Sequence, residues 1–435
     1  MILVYSDDIT PRHSYTWDLV FHEILGMPYE ITTDKEEFKA FQGYRIAYSD
    51  ESLGDCIQIK PHGLLSEKII RNQDITIKQW EDMPVFFGDS EDMEWPFDPF
   101  AMCFYLVSRY EEYLPFKSDL HGRFPATLSM AYEHGFLDRP LVNQIVARLQ
   151  NKILIKYPAL NFPPIKFTFK PTFDVDIAYA HLGKGAMRAM GGFLKLFIKR
   201  DVSALSERTR TITGKIKDPY DNFDFQLEPL RSKNIVPVYF ILIGDYGKYD
   251  KNISYRNKRF RELISSLAEV ADIGIHPSYN AFLNRDRLGE EIVRLSSIIQ
   301  KPVLLSRQHF LRIKFPQSYR DLLQFGILDD FSMGYSTHIG FRASIASPFY
   351  FYDLEEETKT NLRIHPFMFM DTAMIDHLEW TSQTALEKVT QMLIAVKSIG
   401  GEVCGVWHNY ALSETGQYKG WQETYKMILK HALTD

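Results

Sequence analysis

The chain has 435 residues, 45% hydrophobic and 24% charged, which suits a folded protein of two or three units and excludes disordered or fibrous classes. Its net charge of −6 is mild and leaves no basic footprint for nucleic acid. Three scattered cysteines, Cys56, Cys103 and Cys404, form neither a C-x-x-C motif nor an even framework, so they read as buried thiols in a reducing compartment.

The first elements alternate. Ile2–Tyr5 and Tyr44–Tyr48 read as strands, and Tyr15–Leu25 as a helix with Leu19, Val20 and Ile24 on one face. No basic segment precedes the short apolar start, and no apolar run reaches membrane-spanning length, so the expected location is cytoplasmic with no integral membrane segment. Pro96-Phe97-Asp98-Pro99 opens an amphipathic helix expected over Phe100–Tyr113, and a helix follows Arg139-Pro140 to about Ile155. The charged set Asp98, Arg109, Glu111, Glu112, His121 and Arg123 reads as an ion-pair network, and Asp371-Thr372-Ala373-Met374 as a helix cap. The Pro-rich stretch Tyr157–Pro164 is the best boundary, dividing the chain into 1–160 and 165–435.

From Ile165 onward strands and helices alternate, which argues for an α/β architecture with a parallel sheet, open or closed into a barrel. The expected strands are Ile165–Phe173, Val236–Ile243, Asp272–Ile275, Val303–Leu305, Ile327–Leu328, Leu362–His365 and Glu402–Trp407. A Gly-rich segment near 181–220, carrying the basic Lys195, Lys199 and Arg200, interrupts the alternation as an insertion with its own helix.

Polar residues follow these strands one after another. Thr172-Phe173-Asp174-Val175-Asp176 closes the first, placing two carboxylates on one face. His276 follows Ile275, Arg307-Gln308-His309 follow Leu305, Asp329-Asp330 follow Leu328, and His408 follows Trp407, with His338 and Arg342 in the loops between. In a parallel sheet these ends gather at one rim, where α/β enzymes build their sites. Imidazole and carboxylate are ligands for zinc and its first-row neighbours, and such a metal polarises a carbonyl and lowers the pKa of bound water to about 7. A second carboxylate can serve as general base, an arginine beside it keeps it ionised, and a histidine opposite can protonate a leaving amine. Together these parts describe metal-assisted hydrolysis of an amide or ester. No G-x-S-x-G elbow, P-loop or dinucleotide fingerprint supports another enzyme class.

Residues 165–435 resemble the polysaccharide deacetylase family of carbohydrate esterases, whose fold is a deformed (β/α) barrel. The family motif T-F-D-D-G corresponds to Thr172-Phe173-Asp174-Val175-Asp176, with the second carboxylate displaced by one position. The motif H-S/T-x-x-H corresponds to His276-Pro277-Ser278-Tyr279-Asn280, with asparagine for the second histidine. The resemblance implies Asp174 as base, His408 as acid and Arg342 as the arginine paired with Asp174. It implies a divalent metal, zinc in the first instance, on Asp176 and His276, with His309 or water completing the set. Asn280, Arg307, Asp330 and His338 are the substrate-binding candidates. Pro96-Phe97-Asp98-Pro99, Ser108–Tyr113 and His121–Phe124 resemble an N-terminal domain of unknown role found in a deacetylase-like subfamily of Bacteroidetes bacteria.

The implied activity is removal of an N-acetyl or O-acetyl group from an amino sugar or polysaccharide precursor, in envelope or capsule biosynthesis. Two alternatives stay open: a hydrolase of another C–N bond on the same fold, and a metal-free carbohydrate-binding module in which Asn280 marks the loss of the site. The sequence leaves the sugar and the oligomeric state open.

Overall fold

The computed structural model describes residues 1–88, 95–185, 188, 190–192, 197–198 and 200–434. Near the start, β1 (Ile2–Ser6) is one of two inner strands of a parallel sheet with β2 (Tyr29–Thr32), β3 (Tyr44–Tyr48) and β4 (Ile57–Ile59), in the order β2-β1-β3-β4. All five residues of β1 are buried, as expected for a parallel strand covered on both faces. A short antiparallel pair follows, β5 (Lys78–Trp80) with β6 (Met83–Val85).

Asp98 caps the apolar helix Pro99–Val107 by accepting from the backbone of Phe100 and Ala101. The expected single helix to Tyr113 ends early. Arg109 takes a left-handed φ of 54° and a 3-10 turn covers Tyr110–Tyr113. The break turns the Arg109 guanidinium onto Glu111 and Glu112, at 2.7 and 2.8 Å. The 16-residue helix Leu141–Lys156 then leads to the Pro-rich connection.

The second sheet has nine strands: β7 (Phe167–Val175), β8 (Val238–Ile241), β9 (Asp272–Ile275), β10 (Leu305–Ser306), β11 (Asp329–Asp330), β12 (Phe349–Asp353), β13 (Thr358–Ile364), β14 (Phe367–Met370) and β15 (Gly401–His408). Their order is β12-β13-β11-β10-β9-β8-β7-β15-β14, parallel except for the β12–β13 hairpin. The sheet is curled into an incomplete (β/α) barrel. Phe240 of β8, Phe331 just after β11, Phe367 of β14 and Val406 of β15 share one interior cluster, although β11 and β14 stand six places apart in the order. β12, β14 and the last helix, Trp421–Leu433, were not expected from the sequence.

The insertion is anchored at both stems. Asp218 accepts from the backbone of Ala180, His181 and Leu182, and the Asn409 amide donates to the carbonyls of Ile177 and Tyr220. A helix covers Val202–Ile212, and Arg200 precedes it, while Lys195 and Lys199 lie outside the described residues. No described helix is long and apolar enough to cross a membrane.

The two sheets share a continuous core, and buried polar contacts cross between them. Arg342 donates to Glu112 at 2.8 and 2.5 Å, and Glu112 also accepts from Arg109. The Arg342–Glu112 pairing corrects the expected partnership of Arg342 with Asp174. The guanidinium sits on the early helix–turn junction, away from the end of β7. Glu112 titrates below the usual carboxylate range because the two arginines outweigh its burial. Removing one partner of a buried charge network costs about 3–5 kcal/mol. Glu112→Ala is therefore expected to lower unfolding free energy by about that amount in urea; a loss under about 1 kcal/mol, the level of an exposed pair, would contradict a structural role.

Candidate active site

The parallel strands end at one rim, and five of the sequence-selected side chains meet there. Asp174 lies in β7, one residue before its end, directly across from His408 in the β7–β15 register. Asp176 follows one residue past β7, His276 follows β9, Arg307 follows β10, and His309 opens a 3-10 turn two residues later. A cavity of about 300 Å3 is lined by Asp174, Asp176, His276, His309 and His408.

Arg307 organises this rim from below. It is fully buried inside the curled sheet, with its guanidinium 4.4 Å from the Phe240 ring centre. Nη1 donates to Asp174 Oδ1 at 2.8 Å, Nη2 to Thr172 Oγ1 at 2.8 Å, and Nε to the Phe331 carbonyl at 2.9 Å. The arginine paired with Asp174 is thus Arg307, and Arg307 is sealed away from any substrate. Its own carbonyl accepts from His276 Nδ1 at 2.5 Å. That bond places the proton on Nδ1 and turns the His276 Nε2 lone pair toward Asp176.

Asp176, His276 and His309 bring one ligand atom each to within 4.8 Å of one another. His276 Nε2 stands 3.2 Å from Asp176 Oδ1, and His309 Nε2 stands 3.7 Å from Oδ2. Asp176 Oδ1 is nevertheless buried without a hydrogen-bond partner. His309 Nδ1 donates to Asp250 Oδ1 at 3.0 Å, the outer bond that orients a metal-ligating imidazole. An unsatisfied carboxylate oxygen beside two oriented imidazoles fits a divalent first-row cation, zinc included, with coordination positions left open. Burial alone would depress the His309 pKa, but the Asp176 carboxylate outweighs it and carries the ring up to about 9. Asp176 in turn is held well below the usual carboxylate range. A cation entering here displaces the His309 proton, so its binding strengthens as pH rises toward 9.

His408 faces the same space from the other side. Its Nε2 is 4.0 Å from Asp174 Oδ2 and 3.7 Å from Asp176 Oδ2. Asp371, just past β14, accepts from His408 Nδ1 and from its backbone N–H, both at 2.6 Å. Against the opposing effect of burial, Asp371 carries His408 up to about 10, so the ring is an imidazolium at neutral pH. Asp371, expected as a helix cap, instead orients the histidine with its carboxylate. Asp250, which orients His309, carries no motif in the sequence.

The remaining candidates lie elsewhere. Asn280 is exposed in the 3-10 turn Tyr279–Ala281, which carries it off the cavity wall. Asp330 is fully buried and accepts from Ser306 Oγ, Ser332 Oγ and the Ser332 backbone, which turns it from substrate. His338 borders a neighbouring cavity together with Arg342. Conversely, His121 and Arg123, expected in an ion-pair network, line the same cavity as Asp174 and Asp176. Arg123 does pair with Asp119, at 2.7 Å, and also donates to the Phe310 carbonyl at 2.8 Å.

Residues 2–158 match DUF7033, a family of unknown function. No curated protein matches the chain. Among solved structures it is similar to a candidate polysaccharide deacetylase from Mycobacterium smegmatis, at 17% identity and a TM-score of 0.41, over 63% of this chain and 87% of that one. It is also similar to the PuuE allantoinase, at 12% identity and a TM-score of 0.39, over 64% of this chain and 91% of that one. A third is BA3943 from Bacillus anthracis, a pseudoenzyme of the CE4 family, at 10% identity and a TM-score of 0.29, over 62% of each chain.

Arg307→Met keeps the volume and removes the charge, leaving Asp174 buried and unpaired. The expected loss is about 3–5 kcal/mol of unfolding free energy in urea. Stability within about 0.5 kcal/mol of the native protein, the range of ordinary surface substitutions, would contradict this assignment.

Proposed function

We propose that the chain is a metal-dependent hydrolase that releases acetate from an N-acetylated amino sugar or a precursor of a polysaccharide, with 165–435 as the catalytic unit and 1–160 as a unit that completes the site wall. The observation that carries this reading is the pairing of two sets across one cavity: Asp176, His276 and His309 on one side, and Asp174 with the Asp371-held His408 on the other. A cytoplasmic enzyme of this kind would meet a soluble precursor or the headgroup of a lipid-linked intermediate.

Asp176, His276 and His309 would hold the cation, which supplies Lewis-acid polarisation of the acetyl carbonyl. Asp174 gives one oxygen to Arg307 and keeps Oδ2 toward the cavity, 3.8 Å from His276 Nε2. That oxygen accepts the proton of the attacking water. His408 Nε2 donates its proton to the leaving amine, and Asp371 fixes the ring while stabilising its charge. The division of labour follows from the environments: an imidazolium that stays protonated at neutral pH is the acid, and the carboxylate is the base.

The test is acetate release from N-acetylated sugars by the zinc-loaded protein. The expected result is turnover that falls at least about 100-fold in Asp174→Asn and in His408→Ala, the scale of a lost general acid or base. Because His408 owes its raised pKa to Asp371, Asp371→Asn should move the alkaline limb of kcat to lower pH. No acetate from any acetamido sugar at full metal occupancy would overturn the proposal; hydrolysis confined to other amides or ureides would move it to a different C–N bond.

A further inference from the structure

A second cavity, of about 270 Å3, adjoins the catalytic one and shares Arg123, Leu311 and Ser336 with it. It is built jointly by the early segment Asp119–Thr127 and the barrel loop 334–338. Phe124, Leu311 and Tyr335 provide apolar walls, while Thr127, Thr337 and His338 provide polar groups.

The segment that walls it is held in place. Asp119 Oδ1 accepts from the backbone of His121 and Arg123, and Gly122 closes the turn at φ 76°. Arg312 of the barrel donates to the His121 carbonyl at 2.8 Å, and Arg123 reaches the Phe310 carbonyl. Arg123 therefore stands at the junction of the two cavities with Nε and Nη1 engaged, and Nη2 has no hydrogen-bond partner among the described residues.

We infer that the second cavity is a subsite for a neutral sugar ring adjoining the one that reacts, so that the substrate spans at least two sugar units and the early segment reads the second. The charge balance selects neutral over anionic. Arg123 is matched by Asp119 and Arg342 by Glu112, and burial keeps His338 from becoming protonated at neutral pH, so no net positive charge faces the space. Apolar walls suit the C–H faces of a pyranose, and the free Nη2 offers a donor to a hydroxyl or ring oxygen at the junction. The volume, near the lower end of the ~300–1,000 Å3 typical of small-molecule sites, suits one ring and not a long segment. This inference takes from the proposed function only that the catalytic cavity binds a sugar.

The test is equilibrium binding of N-acetylglucosamine and its β-1,4-linked dimer to the full-length protein by calorimetry, with acetate release measured in parallel. The dimer is expected to bind at least tenfold more tightly than the monomer. Thr127→Trp and Thr337→Trp, which narrow only the second cavity, should each reduce that gain at least fivefold. A dimer no tighter than the monomer, a gain unchanged in both variants, or tighter binding of a dimer with a hexuronate as the second ring would overturn the inference. Absence of acetate release with the binding gain intact would remove the hydrolase reading and leave the subsite standing.

Discussion

The site depends on one buried ion pair. Arg307 enters the interior of the curled sheet and binds Asp174, Thr172 and the Phe331 carbonyl at once, tying β7, β10 and the end of β11 together. Desolvating a guanidinium is expensive unless its donors are satisfied and its charge is matched, and both conditions are met here. The same residue does two further things. It occupies one oxygen of Asp174 and leaves the other toward the cavity, and its carbonyl fixes the tautomer of His276. Asp174 and His276 are therefore positioned by one side chain and one carbonyl of a single residue.

A second layer of carboxylates repeats the device. Asp250 orients His309, and Asp371 orients His408. Their consequences differ because the inner partners differ. His309 faces Asp176 across a gap suited to a cation, whereas His408 faces Asp174 and Asp176 at 3.7–4.0 Å and keeps its proton. The early part of the chain adds the outer wall. Glu112 holds it to Arg342 of the barrel, and the Asp119–Arg123 turn sets His121 and Arg123 over the rim.

Much of this was legible because one rule sufficed: in a parallel sheet, polar residues at strand ends share a rim. Asp174, Asp176, His276, Arg307, His309 and His408 all follow from it. The rule gives a place and not a direction. It could not say that Arg307 turns inward beneath Asp174 while Arg342 turns outward to Glu112, since both are arginines in loops on the same side. It also overcounted. Asp330 ends β11 as Asp174 nears the end of β7, but Ser306 and Ser332 consume its oxygens. Asn280 sits where a ligand motif would place a histidine, and a 3-10 turn exposes it. Asp371 was missed although it obeys the rule, because Phe367–Met370 is a four-residue strand and D-T-A-M has the composition of a helix start. Asp250 stands in a long loop after β8 with no periodic pattern to mark it.

Everything proposed for the rim rests on Asp176, His276 and His309 acting together as a metal centre. X-ray absorption at the zinc edge of the zinc-loaded protein addresses it directly. The expected spectrum shows two imidazole nitrogens and light oxygen ligands at about 2.0–2.2 Å, with the imidazole scattering reduced to one ring in His309→Ala. A shell without imidazole scattering, or one containing sulfur, or scattering unchanged by His309→Ala, would contradict it.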